Sequence, residues 1–500
     1  WEIFRPKTSL DIGMNLISIV SPLTGEKLHD IQAFSASEVA DAFRSARKAQ
    51  PAWAESVQRR TLVAKKLAAL LAKEQAAVMD MLQAETGKSR SHAFEEIAGA
   101  LGAISYYSKV APKLMRRKRI KAAVPLMLSA YVETVPVGVV GVITPWNYPL
   151  ALTMMDVIPA LMAGNSVVHK ADNQTAMTVH LARDLAVEAG LPEDVWQIVH
   201  GDAAEVGNAV TDNADYVAFT GSTPTGRIVA ERAAKRLIGY SLELGGKNPM
   251  IVLPGANLEQ AAEIALGSAF GNAGQLCVSI ERLYVPNHAL AEFETILKRR
   301  IETMSVGSSA EFAHDIGSLT SKAQVERVSG FVDRAVSEGA KVLTGGKRLE
   351  DLGPNYYAPT VLTAVPKTAE IMTKEVFGPV IALVGYDSLD EAVELANATE
   401  FGLNASVVGD RSKALEIASR LMAGSVNINE GYRASMASFA APMGGMKQSG
   451  NGRRSGPAGL LRFTETRTIG VANKLPIGLP TRAKEYKVMA PLMTKLTKWI

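Results

Sequence analysis

The chain of 500 residues contains one cysteine, Cys277, so it has no disulfide framework. A protein without disulfides fits a reducing compartment, and we expect a cytoplasmic location. The chain also lacks an excess of one charge, because a net charge of +4 is small for this length and gives no reason to expect a nucleic-acid partner. The first residues show no basic segment followed by an apolar run, so no signal peptide is expected, and no metal site is expected.

Long uninterrupted apolar runs are also lacking. The segment Thr134–Met155 carries no charge, but Pro136, Pro145 and Pro149 interrupt it. Its first part, VGVVGVI, predicts a strand buried on both faces, followed by a loop and a helix. With 47% hydrophobic residues and a mean hydropathy of +0.07, the composition predicts a soluble globular protein of two or three domains without a membrane span.

The segments before this strand predict helices. Ser37–Gln50 and Arg59–Gly87 have apolar faces with interspersed charges, which is typical of amphipathic helices. Ser37 is expected to cap the first helix, and Pro51 is expected to end it.

From Val137 onward, short β-branched runs alternate with helical segments, which predicts parallel strands in a doubly wound α/β sheet. The pattern starts again at Pro249–Leu253, so a second α/β domain is predicted to begin near Gly246. The segment after Leu475 is basic and partly amphipathic; it is expected to cover a neighbouring subunit or, alternatively, to contact an anionic surface.

Several residues along this pattern could take part in binding or catalysis. Each of them also has an ordinary structural explanation. Gly221 and Ser222 follow a strand and precede a helix, which suits a phosphate but also any strand-to-helix turn. Glu243 lies between leucines, where a carboxylate needs a partner unless the strand simply exposes it. Asn147 also fits an ordinary turn residue, and Lys170 an exposed strand end.

A resemblance to the aldehyde dehydrogenase superfamily rests on seven segments in chain order: PWNYP, AGNSVVHK, FTGST, LELGGKNP, GNAGQLC, EVFGPV and PMGGMKQSGNGR. They span Pro145 to Arg453, and the flanking segments fit as well. The resemblance implies NAD(P)+-dependent oxidation of an aldehyde to a carboxylic acid. It also implies an α/β fold with a Rossmann-like cofactor-binding domain, an α/β catalytic domain and a small β oligomerisation arm.

By this resemblance three residues carry the catalysis. Cys277 is the nucleophile that forms a thiohemiacetal and then a thioester, rather than a small buried apolar residue. Asn147, with the backbone N–H of Cys277, is the oxyanion donor, and Glu243 activates the water that hydrolyses the thioester. The expected cofactor-binding residues are Ile143, Trp146, Lys170, Asn173, Gly221, Ser222, Glu375 and Phe377.

Two positions depart from many NAD-preferring relatives. Asn173 stands where they carry a glutamate that binds the ribose hydroxyls, and Ala203 stands where a glycine is usual. Without that carboxylate, and with Lys170 nearby, the site is expected to prefer NADP+, with NAD+ as the alternative.

The sequence is most similar to the succinate-semialdehyde dehydrogenase branch, of actinobacterial type, so succinate semialdehyde is the first expected substrate. The arginines that bind the distal carboxylate in that branch are replaced by Met155 and Gly271, which leaves Arg433 as the candidate cation. Without such a cation, Met154, Met155, Tyr148 and Phe439 favour an aromatic or medium-chain apolar aldehyde. A CoA-acylating or non-catalytic relative is disfavoured, because Cys277, Asn147 and Glu243 are all present.

The resemblance also implies a division of the chain. We expect a cofactor-binding domain over residues 1–120 and 136–245 and a catalytic domain over residues 246–445. An oligomerisation arm over residues 121–135 and 463–475 is expected to join a homodimer or dimer of dimers, and residues 476–500 form a basic tail.

Overall fold

The structure is a computed structural model that describes residues 15–122, 128–473 and 482–496. The predicted mixed α/β class is confirmed, with two large sheets that are mostly parallel and flanked by helices. Among the described residues, no helix is long and apolar enough to cross a membrane.

A strand pair and four helices come first: β1 (Leu16–Val20), β2 (Lys27–Gln32), α1 (Ala36–Ala54), α2 (Val57–Lys73), α3 (Gln75–Thr86) and α4 (Arg90–Leu114). The expectation that Ser37 caps α1 is wrong. Ser35 is the cap: its hydroxyl oxygen accepts a hydrogen bond from the backbone N–H of Glu38. In return, the side chain of Glu38 accepts one from the backbone N–H of Ser35. Pro51 does not end α1 either, since buried Trp53 anchors the last turn through a 3.0 Å hydrogen bond to the carbonyl of Leu161.

Two strands, β3 (Lys118–Ile120) and β4 (Leu128–Pro136), precede the first large sheet in the chain but belong to a separate sheet. The elements of the first large sheet are β5 (Val139–Ile143), α5 (Pro149–Met162), β6 (Ser166–Lys170), α6 (Ala176–Glu188), β7 (Trp196–Val199), α7 (Glu205–Asn213), β8 (Tyr216–Thr220), α8 (Thr223–Lys235) and β9 (Gly239–Glu243). The five strands are parallel in the order β9-β8-β5-β6-β7, so the order reverses beside β5. Ligands bind at such a reversal, beyond the carboxyl ends of the strands.

The second large sheet begins at Asn248. The remaining elements are β10 (Asn248–Val252), α9 (Leu258–Ala269), β11 (Ile280–Pro286), α10 (Leu290–Glu302), α11 (Lys322–Ser337), β12 (Lys341–Thr344), β13 (Thr360–Thr363), β14 (Val380–Tyr386), α12 (Leu389–Asn397), β15 (Phe401–Gly402), β16 (Asn404–Val408), α13 (Arg411–Ala418), β17 (Ser425–Ile428), α14 (Arg433–Met436), β18 (Met446–Lys447), β19 (Gly450–Asn451), α15 (Gly456–Leu461), β20 (Thr464–Ala472) and α16 (Ala483–Leu496). The sheet order is β12-β13-β14-β11-β10-β16-β17, parallel except for β12. The short strand β19 returns to the first sheet and pairs with β9.

A third, antiparallel sheet of order β20-β4-β3 stands apart, with β4 and β20 paired from Leu128 to Pro136. Strand β20 is largely exposed. Residues 123–127 and 474–475 of the predicted arm lie outside the described residues, as do the first fourteen residues and residues 476–481 and 497–500 of the tail.

Side chains alternate across β5 and connect it to two hydrophobic cores. Val140 and Val142 pack into the core that includes α2, α4, α5 and α6, whereas Val139 and Ile143 pack into the core with α1, α7 and α8. The prediction of a strand buried on both faces is therefore confirmed. Because both faces of the sheet are covered, only its strand ends are available for a site.

Candidate active site

Cys277 lies in the loop between α9 and β11, directly after a tight turn. Asn272 and Ala273 adopt left-handed backbone conformations, with φ of 51° and 54°, and Gly274 follows with φ of 71°. A side chain at Gly274 would overlap the carbonyl of Gly378, so glycine is needed where two loops pass closely.

Two carboxylates face the thiol of Cys277. Burial among protein atoms raises the pKa of the thiol to about 12, and the charges of Glu375 and Glu243 contribute to the increase. The backbone carbonyl of Cys277 accepts a 2.8 Å hydrogen bond from Asn248 Nδ2, which fixes the loop. The residue itself is partly exposed, so the lone cysteine is not simply an apolar residue of the core.

Asn147 lies in the loop between β5 and α5 and is 3% exposed. Its Nδ2 donates a 3.0 Å hydrogen bond to the carbonyl of Gln275, two residues before Cys277. Its own carbonyl accepts hydrogen bonds from Lys88 Nζ at 2.8 Å and from Asn272 Nδ2 at 3.0 Å. A side-chain amide carries two N–H groups, so the contact with Gln275 leaves one for a substrate oxygen.

Glu243 is the last residue of β9 and is 4% exposed. Ser241 and Leu242 are buried too, so the alternative of a surface strand with an outward-pointing glutamate is wrong. Neither carboxylate oxygen has a hydrogen-bond partner. Burial raises the pKa of Glu243 to about 7, and two arginines, Arg454 and Arg462, limit the increase. A carboxyl group with a pKa near neutrality suits a general base.

The two arginines belong to a buried cluster around Asp156. Arg454 donates to both oxygens of Asp156, at 3.0 and 2.6 Å, and Arg462 donates to one of them. Arg454 also donates to Thr220 at the end of β8, and Arg462 to Ser241 in β9. Two guanidinium groups share one carboxylate, so the cluster has one positive charge in excess beside the strands that hold Glu243.

The loop after residue 374 brings two further residues to the site. Glu375 Oε1 accepts a 2.8 Å hydrogen bond from the backbone N–H of Gly246. Burial and the charge of Glu281 raise the pKa of Glu375 to about 7. Phe377, with φ of 60°, packs edge to face against Trp146 with 5.6 Å between ring centroids. The rings of Trp146 and Phe377 are therefore in contact, and the second Glu375 oxygen has no hydrogen bond to another described residue.

The strand ends of the first sheet collect the other predicted cofactor residues. Ile143 ends β5, Lys170 ends β6, and Gly221 and Ser222 follow β8. Ser222 caps α8 by accepting the backbone N–H of Thr225, so the start of this helix suits an anion. The set of backbone N–H groups, one cation and one free carboxylate oxygen fits a dinucleotide.

Lys170 and Asn173 lie at the end of the cleft near β6. Lys170 is 6% exposed, and burial lowers the pKa of its ammonium group while Asp172 and Asp202 oppose this decrease. The ordinary alternative of an exposed lysine at a strand end is therefore wrong. Both polar atoms of the Asn173 side chain bind the backbone of Gly201, at 3.0 and 3.1 Å. Compared with a glutamate at this position, Asn173 brings no negative charge. Its side-chain amide is engaged in the two hydrogen bonds to Gly201.

On the other side of Cys277, an apolar cluster joins Tyr148, Met155 and Tyr432, which are all at least nine-tenths buried. The hydroxyl of Tyr148 has no hydrogen-bond partner, whereas that of Tyr432 faces the carboxylate of Glu95. A Cβ at Gly271 would lie 2.9 Å from the Tyr432 hydroxyl, so this glycine leaves the space that Tyr432 uses.

Arg433, the candidate cation, is already paired. Its Nε and Nη2 donate to Glu95 Oε1, at 3.1 and 2.9 Å, and its guanidinium lies 5.0 Å from the ring centroid of Tyr432. Its side chain is 45% exposed. The structure therefore brings Arg433 to the edge of the cluster, but as one member of an ion pair.

Several residues of the site were not predicted from the sequence. They are Asp156, Arg454 and Arg462 behind Glu243, Tyr432 in the apolar cluster, and the buried pair of Lys88 and Glu96 beside Asn147. Of these residues, Asp156 could have been noticed in the sequence, because it is the first charged residue after the uncharged run Thr134–Met155. A charge in apolar surroundings is the only such signal.

A doubly wound sheet with a dinucleotide-type cleft, bordered by a thiol, an amide and a buried carboxylate, defines the class of a dehydrogenase. The sequence profile described as the aldehyde dehydrogenase family matches residues 11–469. A protein of Mycolicibacterium smegmatis, provisionally named an NADP(+) succinate-semialdehyde dehydrogenase, is 46% identical over 95% of this chain and 93% of its own.

Solved structures agree with the sequence comparison. An NADP-dependent enzyme of E. coli superposes with a TM-score of 0.88 at 33% identity, covering 92% of this chain and 95% of the other. Betaine aldehyde dehydrogenase of Staphylococcus aureus, in complex with NAD+, gives 0.89 at 30% identity over 94% of each chain. The chain belongs to the aldehyde dehydrogenase family, and the predicted oxidation of an aldehyde to a carboxylic acid is confirmed at this level.

Proposed function

We propose that this enzyme oxidises succinate semialdehyde to succinate by hydrolytic thioester chemistry, with NADP+ preferred over NAD+. The proposal is supported by the placement of Cys277 and Asn147, from two loops, close to Glu243 at the end of β9, where the strand ends offer groups that suit a dinucleotide. The names of the mycobacterial relative and of the E. coli enzyme supply the substrate and the cofactor.

The thiol of Cys277, which is partly exposed, gives its proton to solvent water as its sulfur adds to the aldehyde carbon, and the carbonyl oxygen becomes an oxyanion. The free N–H of Asn147 and the backbone N–H of Cys277 stabilise that charge. When bound at the strand ends of the first sheet, NADP+ or NAD+ would supply the hydride acceptor for this carbon, and the acyl group would stay on Cys277 as a thioester. Glu243 then takes a proton from the water that attacks the thioester carbon, the carbon–sulfur bond breaks, and the acid leaves. The Cys277 thiolate that is released regains its proton from Glu243, which restores both groups.

The proposed NADP+ preference rests on charge. A carboxylate at residue 173 would repel a 2′-phosphate, and Asn173 has none, while Lys170 offers a positive charge nearby. Asp172 and Asp202 lie close enough to affect Lys170, so its attraction is weaker than that of an isolated cation. The other proposed contacts are Ser222 and Gly221 with the pyrophosphate and Glu375 with the nicotinamide ribose, with Ile143, Trp146 and Phe377 as walls.

For the substrate, we propose that the hydroxyls of Tyr148 and Tyr432 bind the distal carboxylate. Both are buried, the hydroxyl of Tyr148 has no hydrogen-bond partner, and a buried hydroxyl without a partner costs about 1–3 kcal/mol. Each ring has a cation over it, Lys88 at 4.4 Å from the Tyr148 centroid and Arg433 at 5.0 Å from that of Tyr432. Two phenol O–H groups would then donate hydrogen bonds to the distal carboxylate, in place of the arginines that stand at the positions of Met155 and Gly271 in the related branch.

The second candidate is an aromatic or medium-chain apolar aldehyde. It is favoured by the apolar character of the cluster around Met155 and by the pairing of Arg433 with Glu95, which leaves no net positive charge there.

A panel of chain-matched aldehydes separates the two candidates. With either cofactor and no CoA, we expect kcat/KM for succinate semialdehyde to exceed that for pentanal and benzaldehyde. Tyr148→Phe and Tyr432→Phe should each lower it for succinate semialdehyde by about tenfold, the value of one charge-assisted hydrogen bond, and leave pentanal unchanged. A higher kcat/KM for pentanal in the unmodified enzyme would establish the second candidate, and a need for CoA would establish an acylating enzyme.

We also propose a homodimer or a dimer of dimers in the cytoplasm. Support for assembly comes from β20, which forms the outer strand of the three-stranded sheet and is largely exposed over Thr464–Ala472. An exposed edge of this length commonly pairs with another chain. Support for the location is the need of a catalytic thiol for a reducing environment.

A further inference from the structure

An ion pair between Lys88 and Glu96 is sealed inside the protein, and neither side chain is exposed. Lys88 lies in the turn between α3 and α4, and Glu96 lies in the second turn of α4. Neither residue has a part in the reaction as proposed above. Their surroundings include Tyr148, whose ring lies 4.4 Å from the Lys88 ammonium group.

The pair is bound to the backbone of one loop. Lys88 Nζ donates a 2.8 Å hydrogen bond to the carbonyl of Asn147. Glu96 Oε2 accepts the backbone N–H groups of Leu150 and Ala151, at 2.8 and 3.1 Å, in the first turn of α5. The two charges therefore hold the segment from residue 147 to residue 151 at both ends.

Stability alone does not account for such a pair. Taking two charges out of water costs several kcal/mol per ion, and apolar residues of similar size often serve a core equally well. What apolar residues cannot do is bind a backbone carbonyl and two backbone N–H groups at fixed positions. The function of this pair therefore concerns the loop that it holds in place.

We propose that Lys88 and Glu96 are positioning residues for the oxyanion donor, because they fix the backbone from which the Asn147 side chain projects. This proposal rests on the role of Asn147 in the proposed function. The Asn147 amide must reach Gln275 and leave one N–H toward the oxygen that becomes charged. A displacement of about 1 Å in such a donor lowers a rate by about 100-fold.

Another buried lysine–glutamate pair within the described part of the chain offers a matched control. Lys247 Nζ lies 2.5 Å from Glu281 Oε2, with 0% and 3% of the side chains exposed. Glu281 accepts the backbone N–H groups of Val376 and Phe377, at 3.0 and 2.9 Å, so this pair holds the loop on the cofactor side. It has the same chemistry and burial but no contact with Asn147.

The test is a double-mutant cycle on the hydride-transfer step, measured as NADPH formation in a single turnover. The pair is neutralised by Lys88→Met with Glu96→Gln, which leaves no buried charge alone. We expect this variant to be slower by about 10- to 100-fold and Asn147→Ala by about 100- to 1,000-fold. Added to Asn147→Ala, the neutralised pair should slow the step by less than about threefold, because no donor remains to be positioned.

Neutralising the control pair by Lys247→Met with Glu281→Gln should raise the KM for NADP+. It should slow hydride transfer in Asn147→Ala by the same factor as in the unmodified enzyme. Quenching of protein fluorescence by NADP+ shows whether each variant is folded and binds cofactor. If the variant with Lys88→Met and Glu96→Gln does not fold, Lys88→Met with Glu96→Met enters the same cycle, since it also leaves no buried charge alone.

The proposal is overturned if neutralising Lys88 and Glu96 slows Asn147→Ala by the full factor seen in the unmodified enzyme, since the pair then acts by another route. Unchanged hydride transfer in Asn147→Ala alone is a different result. It would remove the proposed role of Asn147 and, with it, the reason for positioning that residue.

Discussion

The rate of thioester hydrolysis should rise with pH across neutrality because of Glu243. Only the ionised carboxylate can accept a proton from water. Glu243 is 4% exposed, its oxygens have no hydrogen-bond partner, and its pKa is raised to about 7. Relative to the ordinary value of 4.5, this shift means that ionisation costs about 3 kcal/mol more than in water. The group therefore titrates inside the working range of the enzyme.

The magnitude follows from the ionised fraction. With a pKa of about 7, about one carboxyl in ten is ionised at pH 6 and about nine in ten at pH 8. Steady-state turnover limited by hydrolysis should thus increase about ninefold over this interval. A glutamate with the ordinary pKa would be almost fully ionised throughout and would give a flat profile.

Two glutamates of the site have a pKa of about 7, so each needs its own variant. The assay is the slow phase of NADPH formation with succinate semialdehyde, recorded from pH 6 to pH 8.5. Glu243→Gln should lower the rate and abolish its rise with pH, while Glu375→Gln should keep the rise. A flat profile in the unmodified enzyme, or a rise that persists in Glu243→Gln, would refute the assignment of Glu243 as the base.

Three other expectations concern the thiol, the cofactor and the assembly. Cys277→Ala should abolish turnover but keep NADP+ binding, and a thiol reagent should inactivate the unmodified enzyme with one equivalent incorporated; turnover by the Ala variant would exclude the mechanism. Asn173→Glu should raise the KM for NADP+ by about tenfold or more, through repulsion of the 2′-phosphate, and change that for NAD+ much less; equal effects on both cofactors would show that residue 173 does not face the ribose. Light scattering at micromolar concentration should give a dimer or tetramer, and a monomer would contradict the proposed arm.

The sequence was informative where one element determines its own environment. The run VGVVGVI predicts a fully buried strand because apolar residues on both faces can be satisfied only inside a covered sheet, and β5 is such a strand. The helix start was missed by two residues. Ser35 and Ser37 are both acceptable caps, and the choice depends on Glu38, whose side chain binds back to Ser35.

The sequence was not informative where a side chain depends on a distant partner. The segment SLEL fits an exposed strand as well as a buried one, and the burial of Glu243 comes from β19 and from arginines contributed by later segments. Arg454 and Asp156 are 298 residues apart in the chain, so no local pattern pairs them. The side-chain amide of Asn173 was expected to face a ribose, but a backbone loop at Gly201 occupies it.

The two pKa values at the centre of the site also indicate which step depends on Glu243. Moving the proton from the Cys277 thiol, with a pKa of about 12, to Glu243, with a pKa of about 7, costs up to about 7 kcal/mol. Removing a proton from water as it attacks a thioester is the task for which a base of this pKa is suited. Glu243→Gln should therefore keep a rapid first turnover of NADPH and slow the later turnovers by about 100-fold or more. Quenched-flow measurement of both phases distinguishes the steps, and an equal loss in both would mean that Glu243 acts on the thiol instead.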